Sequence, residues 1–296
     1  MNKPKFYVGT AGWSYKDWIE SFYQYPQSKT FDWLEYYSRF FNTVEVNASY
    51  YTYISPNTVD GWISKVEEKD DFLFTMKLHQ DFTHKHLFKN SQIDAVKSNL
   101  NKLQKAERLS GLLLQFPYSF ALTKENANHL KHLLEIFDEY EKFIEVRHKS
   151  WLIERFFNFV AKNKSSLCAV DQPKIGEAIE FKAYEAGENM YIRFHGRNET
   201  EWKHSINNFG KDQTYEQQSG RYDYLYSPGE LLEFERAINE VRDKVKNIFI
   251  ILNNHPHGNA VANALEMLHF LNDRIKVDVP PATLKTFSRL SKISRN

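Results

Sequence analysis

The stretch "KFIEVRHKSW" (142–151) begins as an apolar strand and ends on an acid, a guanidinium and an imidazole: Glu145, Arg147 and His148. Other apolar stretches end the same way. "TVEVN" (43–47) carries Glu45 and Asn47, "FLFTMK" (72–77) ends in Lys77, "LCAVD" (167–171) in Asp171, and "MYIRFH" (190–195) in Arg193 and His195. "LLLQF" (112–116) and "IFIILN" (248–253) add the amides of Gln115 and Asn253. Gathered in one place, these groups could bind and transform an anion. Arg147 and Arg193 suit bidentate capture of a phosphate or carboxylate, and Lys77 could neutralise developing charge. His195, with Glu45, Glu145 or Asp171, could move protons, since an unperturbed imidazole titrates near neutrality. The expected chemistry is hydrolase- or lyase-like acid/base work on a small anionic molecule.

Strand side chains alternate, so each apolar neighbour tells where a polar residue points. Val44 and Val46 share one face and need a helix to cover them, which turns Glu45 and Asn47 the other way. The same parity sends Lys77, Gln115, Glu145, Arg147, Asp171, Arg193, His195 and Asn253 to a common side, and Cys168 away from it. His148, by that parity, points away from its strand's polar face and could instead cap the next helix.

The elements that must hold such a ring are short strands followed by helical patterns. Strands are expected at 6–10, 43–47, 72–77, 112–116, 143–147, 167–171, 190–195 and 248–253, with helices such as 91–109 and 228–245 between them. Eight strands alternating with helices predict a parallel sheet closed into a single TIM-type (β/α)8 barrel. Strand-to-helix connections are long, at 12–30, 48–58, 78–90 and 196–227, whereas helix-to-strand connections are short. Long loops thus collect at the C-terminal strand ends, where barrels of this kind place their sites. No linker interrupts the pattern. One domain is expected over 1–281, followed by a basic, frayed tail at 282–296.

Other readings compete. Barrel interiors also hold structural ion pairs, but buried pairs add little stability over apolar packing, so a whole ring of them needs another reason. A divalent metal has oxygen and nitrogen ligands available in Glu45, Glu145, Asp171 and His195. Three nearby cations oppose it and no HExxH or clustered His/Cys spacing is present, so no cofactor or metal is expected. A glycosidase-like pair is a second alternative: it needs two carboxylates at about 5 Å or about 6.5–9.5 Å, and three inward acids make such a pair possible. Gln115 and His195 occupy strand ends where such acids are often sought. A nucleic-acid-binding or nuclease-like barrel is the principal alternative, its positive charge supplied by 77–105 and by the tail. Aromatic rings crowd the loops, and Trp13 and Trp151, beside the ring, are the expected ligand contacts.

Composition narrows the classes further. The 296 residues are 42% hydrophobic and 26% charged, which fits a folded globular chain. With 39 basic and 38 acidic residues, net charge is +1 and no global field favours nucleic acid or a membrane. The single cysteine excludes an internal disulfide, and no apolar run is long enough to span a bilayer. The expected location is the cytoplasm, and nothing in the sequence indicates an oligomeric state.

Several motifs in order, "GTAGWSYKDW", "FNTVEVNASYY", "EVRHKSW", "YIRFHGR", "YDYLYSPGEL" and "NNHPHGNAVANA", resemble the YecE-like proteins (domain of unknown function 72). The likeness runs from about Phe6 to Leu271. It implies a TIM barrel and no particular activity. Its motif positions fall on Trp13, Glu45, Asn47, Lys77, Gln115, Glu145, Arg147, His148, Asp171, Arg193, His195, Gly196, Asn253 and Asn254. Of these, Gly196 and Asn254 join the candidate ligand contacts on the resemblance alone. Ala11 stands where Ser is expected, and "NASYY" replaces "NSTFY", which removes hydroxyls from that loop.

Overall fold

Eight parallel strands lie side by side in chain order, and the last returns to the first. They are β1 (Lys5–Ala11), β2 (Thr43–Val46), β3 (Leu73–Lys77), β4 (Leu109–Gln115), β5 (Lys142–Glu145), β6 (Ser165–Asp171), β7 (Asn189–Phe194) and β8 (Asn247–Leu252). β8 pairs with β1 from Asn247–Lys5 to Leu252–Thr10, closing the barrel. The computed structural model describes residues 3–207 and 214–295. Among these, no helix is long and apolar enough to cross a membrane.

Alternation sorts the strand side chains into two cores. Val44, Val46, Phe74, Leu112, Leu114, Ile144, Ile192 and Ile250 face outward and pack beneath the helices. Tyr7, Leu113, Phe143, Cys168, Val170, Tyr191, Phe249 and Ile251 fill the barrel. Its interior is strongly aromatic. Tyr7 stacks on Phe249 at 4.8 Å and Phe143 on Tyr191 at 4.2 Å. This apolar plug floors the polar ring above it.

Helix boundaries follow their capping chemistry. The helix Pro228–Val241 begins with Pro at its first position, where the missing N–H is no loss. Ser227 accepts from the Glu230 N–H while Glu230 accepts from Ser227, a reciprocal cap. The helix predicted over 91–109 ends earlier, spanning Asn90–Lys105. Glu107 takes a left-handed φ of 57° and Leu109 already pairs with Phe74, so the connection expected at 109–111 is the start of β4.

Three further expectations change. The β6–β7 crossover, residues 172–188, contains no helix. Its extended chain carries Phe181, which packs on Phe194 and Phe234, and buries Ala183, Tyr184 and Ala186 against the barrel wall. The long connections are partly helical, with Ala48–Tyr51, Gln80–Thr83 and Glu199–Asn207 lying inside them. The tail expected to fray, 282–296, is folded over 282–295, and residue 296 lies outside the described residues. Pro281–Thr286 is a helix, the Val277 N–H donates to Ile293 at 2.9 Å, and Leu290 is fully buried. Its basic Arg289 is engaged by Glu266 and the Tyr226 carbonyl, both at 2.7 Å. The sequence signal of charge hid an apolar anchor.

Candidate active site

Arg193, near the end of β7, organises the barrel's polar layer. Its Nε and Nη2 donate to Glu45 on β2 at 2.9 and 2.7 Å, and its Nη1 donates to Glu145 on β5. The other Glu145 oxygen accepts from Arg147 Nε at 2.8 Å, and the Tyr191 hydroxyl donates to Glu45 at 2.9 Å. Both carboxylates are fully buried, so these bonds offset a large desolvation cost. Burial alone would raise the Glu145 pKa. Arg193 and Arg147 outweigh it and hold the carboxyl well below the usual range.

His195 closes the layer. Its Nε2 faces Arg147 Nη2 at 3.2 Å, and its Nδ1 meets the Asn253 amide at 2.8 Å. Burial, then Arg147 and Arg193, push its pKa well below the ordinary value, so the ring is neutral near pH 7. The titration near neutrality expected of a free imidazole is therefore displaced. Glu45 and Glu145, both held by one guanidinium, also lack the freedom that a glycosidase pair requires.

Above this neutralised layer positive charge is in excess. The Lys77 carbonyl, at the end of β3, accepts from the Ser49 hydroxyl at 2.7 Å, but its amine has no hydrogen-bond or ion-pair partner among the described residues, and Nζ sits 4.4 Å from the Tyr50 ring centre. Burial is the main cause that lowers its pKa to about 7; Arg193 and Arg147 add to it, and Glu45 and Glu145 offset only part. Arg147 and Arg221 both lie against Trp202, at 5.5 and 5.4 Å from its ring. Arg221 also lies 4.7 Å from the Tyr222 ring. Burial raises the Tyr222 pKa, but Arg221, Arg147 and Arg193 together outweigh it and lower the phenol.

Polar atoms around this mouth are left over. Arg221 Nε, Trp202 Nε1 and Asn47 Oδ1 are buried without hydrogen-bond partners among the described residues. Two of the three are donors. Such groups cost free energy unless something accepts from them.

Alternation thus brings Glu45, Lys77, Glu145, Arg147, Arg193, His195 and Asn253 into one cluster, with Asn47 and Gln115 at neighbouring strand ends. Gln115 donates to the Phe116 carbonyl at 2.8 Å, a local bond. Trp13 is partly buried and meets Trp62 edge-on at 5.6 Å. Other expected site residues take different places. Asp171 pairs in register with Phe194 and Val170 with Arg193, so Asp171 faces the helices and Cys168 the barrel interior. Outside, Asp171 is gripped by Arg197, at 2.7 Å from Nη2, and accepts from the Tyr226 hydroxyl.

Trp151 is core: 2% exposed, it stacks on Phe120 and donates to that residue's carbonyl at 2.7 Å. Asn254 is fully buried behind the ring, donating to Tyr224 and Asn263, both at 2.8 Å. His148 caps the turn after β5, accepting from the Ser150 N–H at 3.2 Å. Gly196 serves the chain path. Its φ is 88°, and a Cβ there would sit 2.8 Å from the Tyr224 Cβ.

The sequence reading missed Tyr191 and Arg221; Tyr50, Trp202 and Tyr222 stood among the aromatics expected to crowd this face but were not singled out as ligand contacts. Tyr191 shares Arg193's parity and was legible in "MYIRFH". The other four come from loops, where no period marks which side chain reaches the axis. With Asp171 turned away, Glu45, Glu145, Asp171 and His195 do not converge as a ligand set. Among the described residues no group of three His, Cys, Asp or Glu is placed to hold a metal ion.

A closed eight-stranded parallel barrel with a polar cluster at its C-terminal strand ends is a TIM-type α/β barrel. Within that class the chain belongs to the family described as protein of unknown function DUF72, whose model matches residues 7–285. It is 28% identical over 279 residues to UPF0759 protein YunF of Bacillus subtilis, covering 90% of this chain and 94% of that one. It is 29% identical over 144 residues to UPF0759 protein YecE of Escherichia coli, 48% of each chain. A crystal structure of a Thermotoga maritima DUF72 protein superposes with a TM-score of 0.77 at 29% identity, covering 90% of this chain and 99% of that one. An Enterococcus faecalis DUF72 structure gives 0.75 at 26% identity, covering 93% and 98%.

Proposed function

We propose that this chain is an enzyme acting on a small anionic molecule whose phosphate or carboxylate binds at the mouth above the Arg193 layer. The observation that carries the reading is the surplus of unsatisfied donors there. Glu45 and Glu145 are already engaged by Arg193 and Arg147, so among the described residues no carboxylate pairs with Lys77 or with Arg221, whose Nη1 donates to Ser205, and Arg221 Nε and Trp202 Nε1 are orphaned. An anion supplies acceptors for all of them at once, in a setting where charge-assisted hydrogen bonds are strong. Tyr50, Trp202 and Tyr222 wall the position and limit the ligand to a small molecule.

Roles within this reading differ from those expected of the free side chains. Arg193 is a structural keystone, His195 a neutral orienting group, and Arg147 and Arg221 are the anion contacts. Lys77 is the group free to accept or donate a proton near pH 7.

The test is a thermal-shift and calorimetric titration with sulfate, inorganic phosphate and short carboxylates. A ligand at a hundred times its Kd adds about 2.7 kcal/mol of stability. Binding that disappears in Arg221→Ala supports the reading. No shift with any small anion, beside tight and salt-sensitive binding of an oligonucleotide, would overturn it in favour of a nucleic-acid protein.

A further inference from the structure

We propose that Lys77 is an imine-forming lysine and that the substrates of this site are small anionic carbonyl compounds, either keto acids or aldehyde or ketone phosphates. The inference rests on the anion-binding reading above and names the substrate class. Its basis is position. Lys77 lies at the C-terminal end of β3, in register with Leu113 of β4, whose side chain fills the barrel interior. Its side chain therefore rises along the axis toward the mouth. The amine has no hydrogen-bond or ion-pair partner among the described residues and lies over the Tyr50 ring.

The surroundings keep it that way. Its electrostatic neighbours are Glu45 from β2, Glu145 and Arg147 from β5 with the stretch after it, Arg193 from β7, and His84 from the loop after β3. The two carboxylates that could have paired with it are held by arginines, and His84 is kept neutral by burial and by Lys77 itself. A lysine screened from bulk water, with Arg193 and Arg147 nearby and no carboxylate paired to it, carries a lone pair near neutral pH, the condition for a nucleophilic amine. Lys77 is half-buried, so a small solute can reach it.

The step balances without a further reagent. The Nζ lone pair adds to the carbonyl carbon, the C=O electron pair moves to oxygen, and a proton passes from nitrogen to that oxygen. The hydroxyl then takes up one more proton and leaves as water, giving a C=N iminium on Lys77. The ligand's phosphate or carboxylate meanwhile meets Arg147 and Arg221.

The experiment is borohydride trapping. Full-length protein is incubated with pyruvate, dihydroxyacetone phosphate or glyceraldehyde 3-phosphate, reduced, and mapped by peptide mass spectrometry. One reduced adduct per chain is expected on Lys77 with at least one probe. Sulfate should suppress it, and Lys77→Arg, which keeps the charge, should lower total labelling about tenfold. Sulfate binding with only scattered labelling, equal in wild type and Lys77→Arg, would overturn the imine while leaving the anion site standing. Specific Lys77 labelling that sulfate does not affect would support the imine and count against the anion site.

Discussion

Arg193 grips Glu45 with two parallel hydrogen bonds, Nε to Oε2 at 2.9 Å and Nη2 to Oε1 at 2.7 Å. The pair joins β7 to β2 through the barrel interior, and the same guanidinium reaches Glu145 on β5. One cation thus holds together two buried carboxylates that would otherwise repel each other. The layer beneath the mouth is a rigid, neutralised floor.

Arg193→Ala would strand both carboxylates in the interior. Removing one partner of a buried pair costs about 3–5 kcal/mol, so urea unfolding should show at least that loss or no folded protein at all. A loss below about 1 kcal/mol would mean that the layer bears little of the fold's stability. The substitution therefore cannot separate activity from folding, and Arg221→Ala is the better functional probe.

Lys77 couples stability to pH. Below about 7 the folded and unfolded states both hold its proton, and the folded state bears the whole cost of the half-buried charge. Between about 7 and the unfolded value the folded state has released a proton that the unfolded state keeps, so wild-type stability rises with pH in that window. Lys77→Met should be more stable than wild type at pH 6, with the gap shrinking by pH 9. For a chain of this size roughly 2–4 °C in Tm corresponds to 1 kcal/mol, and the expected gain at pH 6 is about 1–3 kcal/mol. A gap independent of pH would contradict the lowered pKa.

Asp171→Asn tests the reassignment of that acid. It should lose charge-assisted bonds to Arg197 and cost about 1–3 kcal/mol in chemical denaturation. Sulfate affinity should be unchanged, because the side chain faces the helices. A folded variant with clearly weakened sulfate binding would put Asp171 back at the mouth.

Leu290→Ala measures the C-terminal segment. Leu290 is fully buried, so truncating it should cost about 2–5 kcal/mol. Thermal unfolding indistinguishable from wild type would restore the frayed tail.

Much of this was legible in the chain. All eight strands were, because short β-branched or aromatic runs recur between helical patterns. The inward set of Glu45, Lys77, Glu145, Arg147, Arg193, His195 and Asn253 was too, because side-chain parity is a local property of extended backbone. Which parity faces the axis is not local. In "LCAVD" both faces carry apolar residues, Leu167 and Ala169 on one and Cys168 and Val170 on the other, and only pairing with β7 decides which turns inward: Val170 lies beside Arg193 and Asp171 beside Phe194. A one-residue difference in register exchanges the two faces, so Cys168 and Asp171 traded places.

The sequence by itself determined the barrel, its working end and most of the polar residues along its axis. Tertiary structure alone decided which of those residues retain unused chemistry. Hydrogen-bond capacity is filled through space: Arg193 takes up both carboxylates from β2 and β5, His195 is neutralised among guanidinium groups, and the Lys77 amine is left without a partner among the described residues. The mouth is completed by Trp202, Arg221 and Tyr222, more than a hundred residues beyond Lys77. No spacing along the chain encodes that meeting, because loop side chains have no period and find their places only when the barrel closes.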